Sequence, residues 1–555
     1  MMTTNSVLYA AVIVYFITSI AAHAQIVPDA TLPTQSVVTP DQERINITGG
    51  TQTGANLFHS FTKFSVRAGE SVYFDNPRTV ENIIMRVTGR DISNIDGLIR
   101  AAGNINLYLL NPNGINFGKN AALDINGSLF ASTATLIFPD GMFNAIDTTS
   151  PLLSVSAPIG IQWGNAQGDI QLSTTNLLFR DVKLVGNNIT VTGSFTTTGN
   201  LNLAARTINL DAAVINLTHA SNASFQADVI SISNGSQVIS SAITQDGSNI
   251  TIKSNHKFIM KGETTGLFSD TAPGSKFNGG NISIQAPTIE IKDKAKVNIS
   301  NQGSGNSGNL QLFTDNLNIK GGTLSAKTAA EGGNISVLAS ELLLLGNNGT
   351  ISTLSRGQGN GGNINVQAGF VLVNPNENND ITTSTTQGYG GRIKISSNAI
   401  FGLEIRPSLT PRSDISVTSP FKSYKNYRHS GNINLDTLNI DPNQGVNQLP
   451  ISVLNVSKQI NQTCSNQVIT NRFTIIGRGG LPLTPSEALN RNSGWIDWRL
   501  INRQEHQEAT LVEHQIVEAT RWEVENGEVI LVAAPDVPSQ NEYDASECLA
   551  TVQKV

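Results

Sequence analysis

Gly279-Gly280-Asn281-Ile282-Ser283-Ile284 is the stretch whose reading decides the fold. Ile282 and Ile284 flank a polar residue, the period-two pattern of a short strand with one apolar and one polar face. The pattern returns as Ser307-Gly308-Asn309-Leu310-Gln311-Leu312, Gly332-Gly333-Asn334-Ile335-Ser336-Val337 and Gly361-Gly362-Asn363-Ile364-Asn365-Val366. It returns again as Gly390-Gly391-Arg392-Ile393-Lys394-Ile395 and, after a longer step, as Ser430-Gly431-Asn432-Ile433-Asn434-Leu435. Counted at the residue after the glycine, the first four steps are 28, 25, 29 and 29 residues. Looser copies stand earlier, at Gly199-Asn200-Leu201-Asn202-Leu203 and Ser248-Asn249-Ile250-Thr251-Ile252. Such self-similarity is the signature of a repeat protein.

Between copies lie further short strand patterns such as Thr288-Ile289-Glu290-Ile291 and Leu317-Asn318-Ile319, separated by small turn residues. Two or three short strands per repeat predict one coil of a right-handed parallel β-helix, a solenoid in which each coil buries its apolar face on its neighbours. Asn at the corners is expected to tolerate left-handed backbone and to hydrogen-bond to the next coil. A flexible Gly/Ser/Asn linker would lack the recurrent Ile-x-Ile segments.

The totals agree with an all-β reading. The chain has 555 residues, 14% charged and 6% aromatic, with 49 Gly. Helix-forming composition is scarce before residue 485. A net charge of −6 without clustered Lys and Arg leaves no electrostatic footprint for nucleic acid. Residues 1–24 read as a signal peptide: an apolar run from Val7 to Ile20, then Ala21-Ala22-His23-Ala24 before Gln25. Export through the periplasm would place the mature chain outside the cell or on its outer surface. Residues 25–165 carry Phe58, Phe61, Phe64 and Phe74, which predict a thicker core and suit a cap over the open end of the stack.

Within that region Leu109-Leu110-Asn111-Pro112-Asn113-Gly114-Ile115-Asn116-Phe117-Gly118 reads as a turn between two strands. Pro112 fixes one φ, Asn113 is expected to be left-handed, Gly114 supplies positive φ, and the flanking apolar residues are expected to pair as strands. The run resembles the Asn-Pro-Asn-Gly-Ile motif of the filamentous haemagglutinin N-terminal domain, found in exoproteins of two-partner secretion. Arg86-Val87-Thr88-Gly89, Asn94-Ile95-Asp96-Gly97-Leu98-Ile99 and Gly127-Ser128-Leu129-Phe130-Ala131-Ser132-Thr133-Ala134 resemble the version common in cyanobacterial surface proteins. The resemblance implies recognition of Asn111, Pro112, Asn113, Gly114, Ile115 and Asn116 by a TpsB-type outer-membrane transporter of the Omp85 superfamily, through its periplasmic domains. The family's second motif, Asn-Pro-Asn-Leu, is absent, and Asn76-Pro77-Arg78-Thr79 stands at a comparable place.

The repeats are expected over residues 166–441, with a loop from Pro407 to Tyr427 projecting from the stack. Lys422, Tyr424, Lys425, Tyr427 and Arg428 make it basic and aromatic. Residues 442–555 change composition and carry three of the four Trp. They are expected to form a small C-terminal cap of mixed structure, with a hairpin over Thr520–Val532 turning at Asn526-Gly527. Cys464 and Cys548 are either one disulfide, closing the cap, or two unrelated thiols.

Catalytic patterns are missing from the sequence. The seven His lack zinc spacing, and neither Cys-x-x-Cys, a Gly-x-Ser-x-Gly elbow nor a phosphate loop occurs, so no metal or cofactor is expected. Asp228, Asp246, Asp270, Asp293 and Asp315 fall at irregular intervals, mostly in expected turns. A lyase or glycosidase on a β-helix needs carboxylates at equivalent places on neighbouring coils. The expectation is therefore a monomeric, non-catalytic surface adhesin or coat protein whose cell-surface or polysaccharide ligand is open. The alternatives are a β-helical carbohydrate-active enzyme and a heme- or sugar-binding exoprotein.

Overall fold

The structure, a computed structural model, describes residues 25–437 apart from short stretches at 42–43, 147–152, 163–166, 176, 220, 330–332, 357–360, 388–389 and 419–430. Beyond these it describes the backbone of 521–525 and 528–532. The expected signal peptide, Cys464, Cys548 and the cluster from Lys422 to Arg428 lie outside the described residues. The chain divides into units 1–451 and 452–555. In the second, Arg521–Glu525 and Glu528–Val532 pair antiparallel with Val524 opposite Val529, as the hairpin pattern requires.

The first unit is a parallel β-helix, and among the described residues it contains no α-helix. Each coil presents three strand faces. In one coil these are Ile282–Gln285, Thr288–Lys292 and Lys296–Asn301; in the next, Leu310–Lys320 supplies the first two faces across a bend and Thr323–Thr328 the third. The repeat phase read from the sequence is the coil register: Ile282 pairs with Leu310, Leu310 with Ile335, Ile335 with Ile364, Ile364 with Ile393, and Ile393 with Ile433. Their side chains enter one apolar column that continues, without a change of core, from Ile47 and Phe74 in the first coils to Ile415.

The repeated glycine is explained by contact between coils. A Cβ on Gly308 would stand 2.0 Å from the carbonyl oxygen of Gly280, and one on Gly391 the same distance from that of Gly362. The coils meet backbone to backbone there, leaving no volume for a side chain. Positive φ is concentrated at another corner, between the second and third faces, at Ala212, Asn234, Thr264, Asp293 and Asn347. Left-handed asparagines thus occur at that corner, at Asn234, Asn347 and Asn348, whereas the asparagines after the repeated glycines are not left-handed.

The expected hydrogen bonding of corner asparagines to the next coil holds over a greater length than the repeats suggested. The backbone N–H of Asn281 donates to Asn249 Oδ1 (3.0 Å), that of Asn309 to Asn281 Oδ1 (2.8 Å), that of Asn363 to Asn334 Oδ1 (3.1 Å) and that of Arg392 to Asn363 Oδ1 (3.1 Å). Asn334 joins Asn309 through its side-chain amide (3.1 Å). Toward the N-terminus the ladder passes through Asn249, Asn222, Asn200 and Asp181 to Ser128. From Ser128 it continues to Asn106, Asn82 and Asn56, whose amide ends on the carbonyls of Ser154 and Ser156.

The N-terminal end of the stack is closed by antiparallel pieces. Ile26–Pro28 and Thr51–Thr53 pair antiparallel with Asn56–Phe64, and the hairpin Ser36–Asp41 with Arg44–Gly49 lies against Ser71–Phe74. Pro40 and Asp41 sit on the outer strand of that hairpin, where a missing donor and a charge discourage further pairing. The aromatic residues divide between two cores. Phe61, Phe64 and Phe74 fill the end of the main column, while Phe58 joins Phe138 and Phe143 in a second cluster outside the parallel sheet. That cluster is covered by a three-stranded antiparallel sheet formed by Thr135–Phe138, Gly141–Phe143 and Gly160–Gln162.

Candidate functional site

Leu98–Leu110 and Gly114–Phe117 flank the Asn-Pro-Asn-Gly turn but do not pair with each other. Gly114–Phe117 instead lies between Ser93–Ile95 and Asp169–Leu172, parallel to both. The turn is thus a corner of one coil rather than a hairpin, as in any stack where strand partners come from neighbouring coils. Gly114 adopts φ +133°, as expected, whereas Asn113 keeps an ordinary negative φ. Its role is in the side chain.

Asn111 is fully buried. Its Nδ2 donates to the Asp91 carbonyl and to Ser93 Oγ, both at 3.0 Å, and its Oδ1 accepts from the backbone and side-chain N–H groups of Asn113, also at 3.0 Å. Its own N–H reaches the Ser132 carbonyl (3.0 Å). One side chain therefore ties three segments together. Ile115 and Phe117 point into the core. Gly168, on the next coil, packs so closely that a Cβ there would lie 2.5 Å from Gly114 N.

What remains accessible is Pro112 in part, Asn113 and Asn116. Asn113 Nδ2 donates to the Gly89 carbonyl (2.7 Å), and Asn116 Nδ2 to Asn94 Oδ1 (3.2 Å), so both amides are held in fixed orientations. They open on a groove of about 430 Å³ lined also by Ile92, Asp169, Gln171 and Asn187. Ile92 is 47% exposed at its edge. Asp169 accepts from the Asn187 and Asn188 side chains at 3.1 and 2.8 Å. The surface is an oriented array of amides beside one apolar side chain, suited to binding peptide rather than to acid–base chemistry. Sequence reading did not find Ile92, Gln171 or Asn187, because the insertion between residues 132 and 169 hides the register that brings Gln171 beside Asn116.

The other family-like segments are fastening points. Arg86 is fully buried in the second core: its Nε donates to Ser60 Oγ (3.0 Å), Nη1 to the Asn144 carbonyl (2.8 Å) and Nη2 to Thr31 Oγ1 (2.9 Å), over the Phe143 ring. Thr88 Oγ1 donates to Asp29 Oδ2 (2.6 Å). Burial alone would raise the Asp29 carboxyl, but its bonds from Thr31, Thr88 and Ser60 hold it below its ordinary value. Asn76 forms a two-way clamp with the backbone of Ala102, at 3.1 Å in both directions, and Pro77 accepts from Val80 N (3.0 Å). Asn76-Pro77 and Asn111 to Asn116 occupy different corners.

One pair meets the spacing demanded of a β-helical hydrolase, and the sequence reading passed over it. Asp380 and Asp414 begin adjacent strands of the third face, Asp380–Thr385 and Asp414–Thr418. The Asp414 N–H donates to Asp380 Oδ1 (3.1 Å). Asp414 is fully buried, bonded by Arg406 and by the N–H and Oγ1 of Thr410. Burial raises the Asp380 carboxyl, and the charge of Asp414 adds to it; at Asp414 burial is outweighed by Arg406 and Thr410, which hold it low. Both carboxylates are occupied in holding the loop before Asp414 and offer no open face to a substrate. The aspartates noted in the sequence do not fall mostly in turns: Asp228, Asp270 and Asp315 lie within the strands Asn222–Ser233, Gly266–Thr271 and Leu310–Lys320, and Asp246 and Asp293 lie between strands. Among the described residues, no group of three or more His, Cys, Asp or Glu is arranged to hold a metal ion.

Residues 24–264 match the family model described as the TPS secretion domain. Among solved structures, the chain is similar to the crystal structure of the HMW1 secretion domain from Haemophilus influenzae, at 15% identity and a TM-score of 0.38. That match covers 74% of this chain and 100% of the other. No curated protein matches the chain.

Proposed function

Residues 24–264 form a TPS secretion domain of the filamentous haemagglutinin type, and from this premise we propose that the whole chain is a two-partner secretion exoprotein that works outside the cell as a surface adhesin or coat. The observation that carries the export half is the exposed amide groove at Asn113 and Asn116, built by a corner whose other residues are buried. Its partner is an outer-membrane transporter with periplasmic recognition domains. The domain plan is a leader to residue 24, a capping first part of the secretion domain from 25 to 165, coils from 166 to 441, the first of which complete the secretion domain, and a C-terminal cap from 442 to 555.

The adhesin half is supported by form. The ladder and the continuous core give a rigid stack with three strand faces, and the paired carboxylates it carries are closed. A stack of this kind offers area for contact rather than a reaction centre. This step goes from fold to role and needs its own test.

The test is co-expression. With a two-partner-secretion transporter supplied, the chain should accumulate in the medium or on the outer surface; without the transporter it should remain in the periplasm. Equal external accumulation in both strains would overturn the proposal.

A further inference from the structure

Along the outside of the coils, at the bend between the first and second faces, runs a groove of about 700 Å³. One wall is a single register position on four successive coils, Lys253, Gln285, Phe313 and Leu338. The bend supplies Asn255, Pro287, Asp315 and Ser340. Phe313 is 40% and Leu338 43% exposed, side by side on adjacent coils. Three coil spacings of ~4.8 Å make the groove roughly 14 Å long, parallel to the stacking axis.

We propose that this groove binds a neutral, extended glycan laid along the coils, an inference that rests on the adhesin reading above. Three features select this occupant. First, an extended peptide has nothing to pair with, because the strands on both sides of the bend are hydrogen-bonded to coils above and below. Second, the lining mixes an aromatic face with amide and hydroxyl groups. The negative face of the Phe313 ring suits the C–H face of a pyranose, and Gln285 and Asn255 suit its hydroxyls. Third, the groove holds one cation, Lys253, and one anion, Asp315, so it has no field to favour a polyanion. Asp315 is also engaged by Ser340 Oγ (2.6 Å). The rise of an extended β-linked hexose is close to the coil spacing, so successive sugars meet successive coils.

The test uses the full exported chain and three neutral hexasaccharides, cellohexaose, mannohexaose and xylohexaose, with hexagalacturonate as the acidic comparison, measured by calorimetry. At least one neutral sugar should bind saturably. Phe313→Ala should weaken that binding tenfold or more, while Phe401→Ala, on an exposed side chain outside the groove, should leave it unchanged, with identical circular dichroism for all three proteins. Absence of binding to any neutral sugar, tighter binding of hexagalacturonate, or equal affinity in Phe313→Ala would overturn the proposal. So would a Phe313-dependent dimer in sedimentation, which would assign the face to a second copy. None of these results bears on export, so a failure here is distinguishable from a failure of the secretion reading.

Discussion

Ser128 Oγ donates to Asp181 Oδ2 at 2.9 Å, and this contact between residues 53 apart joins the polar ladder of the N-terminal coils to that of the repeats. The three-stranded antiparallel sheet of the second core is inserted between the two residues, yet the ladder resumes in the next coil. The coils before and after the inserted sheet therefore share one corner and one core.

The ladder should cost more to break where it is buried. Asn82→Ala leaves Asn56 Oδ1 and Asn106 Nδ2 without their partner in a nearly dry site, a loss of about 2–4 kcal/mol; Asn309→Ala, on an exposed corner, should cost about 1 kcal/mol or less. Urea unfolding of the two variants measures the difference, and equal costs would contradict it.

Arg392 ends the ladder. Its backbone N–H donates to Asn363 Oδ1, but its side chain has no oxygen to offer Asn432, the corresponding residue of the next coil. Arg392→Asn should supply that acceptor and slow amide exchange in Ile433–Thr437 several-fold, while leaving Ile282–Gln285 unchanged. No added protection would mean that the longer step before Asn432 sets the local stability.

Close approach and burial predict two severe substitutions. Gly308→Ala forces coils apart against a 2.0 Å contact and should destabilise by about 1–3 kcal/mol or more. Ile335→Asp removes a core side chain and buries a charge, so its cost should exceed the ~2–5 kcal/mol of a simple Ile→Ala truncation. Thermal unfolding measures both.

Two buried groups should oppose each other in acid. Burial lowers the His59 imidazole from 6.5 to about 4, with Ser36 Oγ 2.9 Å from its Nδ1. Between these values the unfolded chain binds a proton that the folded one refuses, so stability falls as pH falls from 6.5 to 4, by about 3 kcal/mol in full. Burial pushes Asp270 from 3.8 up to about 6, so between these values the folded state holds the extra proton and stability falls as pH rises. His59→Phe should therefore leave a coil stack that gains stability from pH 6 to 4, and Asp270→Asn one that loses it. Amide exchange against pH reads both slopes.

The sequence made the first face legible because its apolar alternation and its glycine-asparagine corner recur together. The third face is harder to read, since inward positions such as Ser240, Ser269 and Thr353 are polar. Two of these hydroxyls bond the glycine corner across the core: Ser269 Oγ donates to the Gly280 carbonyl and Thr353 Oγ1 to that of Gly362. The N-terminal half of the ladder is illegible in the sequence for a related reason. Its steps of 26, 24, 22 and 53 residues drift, and Ser128 and Asp181 replace asparagine. At the candidate site the motif was visible, but the division of labour within it was not. Asn111 and Asn113 look equivalent in sequence, and only the register of neighbouring coils shows that one is buried and the other exposed.

That division gives the most direct measurement. Asn113→Ala with Asn116→Ala removes exposed amides at small structural cost, whereas Asn111→Ala removes the donor to the Asp91 carbonyl and Ser93 Oγ and the acceptor of the Asn113 backbone N–H. Each is expressed with the transporter, assayed for external protein, and the purified chain is refolded from urea. Recognition through the groove predicts that the Asn113/Asn116 variant refolds like wild type but stays in the periplasm, and that Asn111→Ala is impaired in refolding itself. Normal export of the Asn113/Asn116 variant would contradict the account.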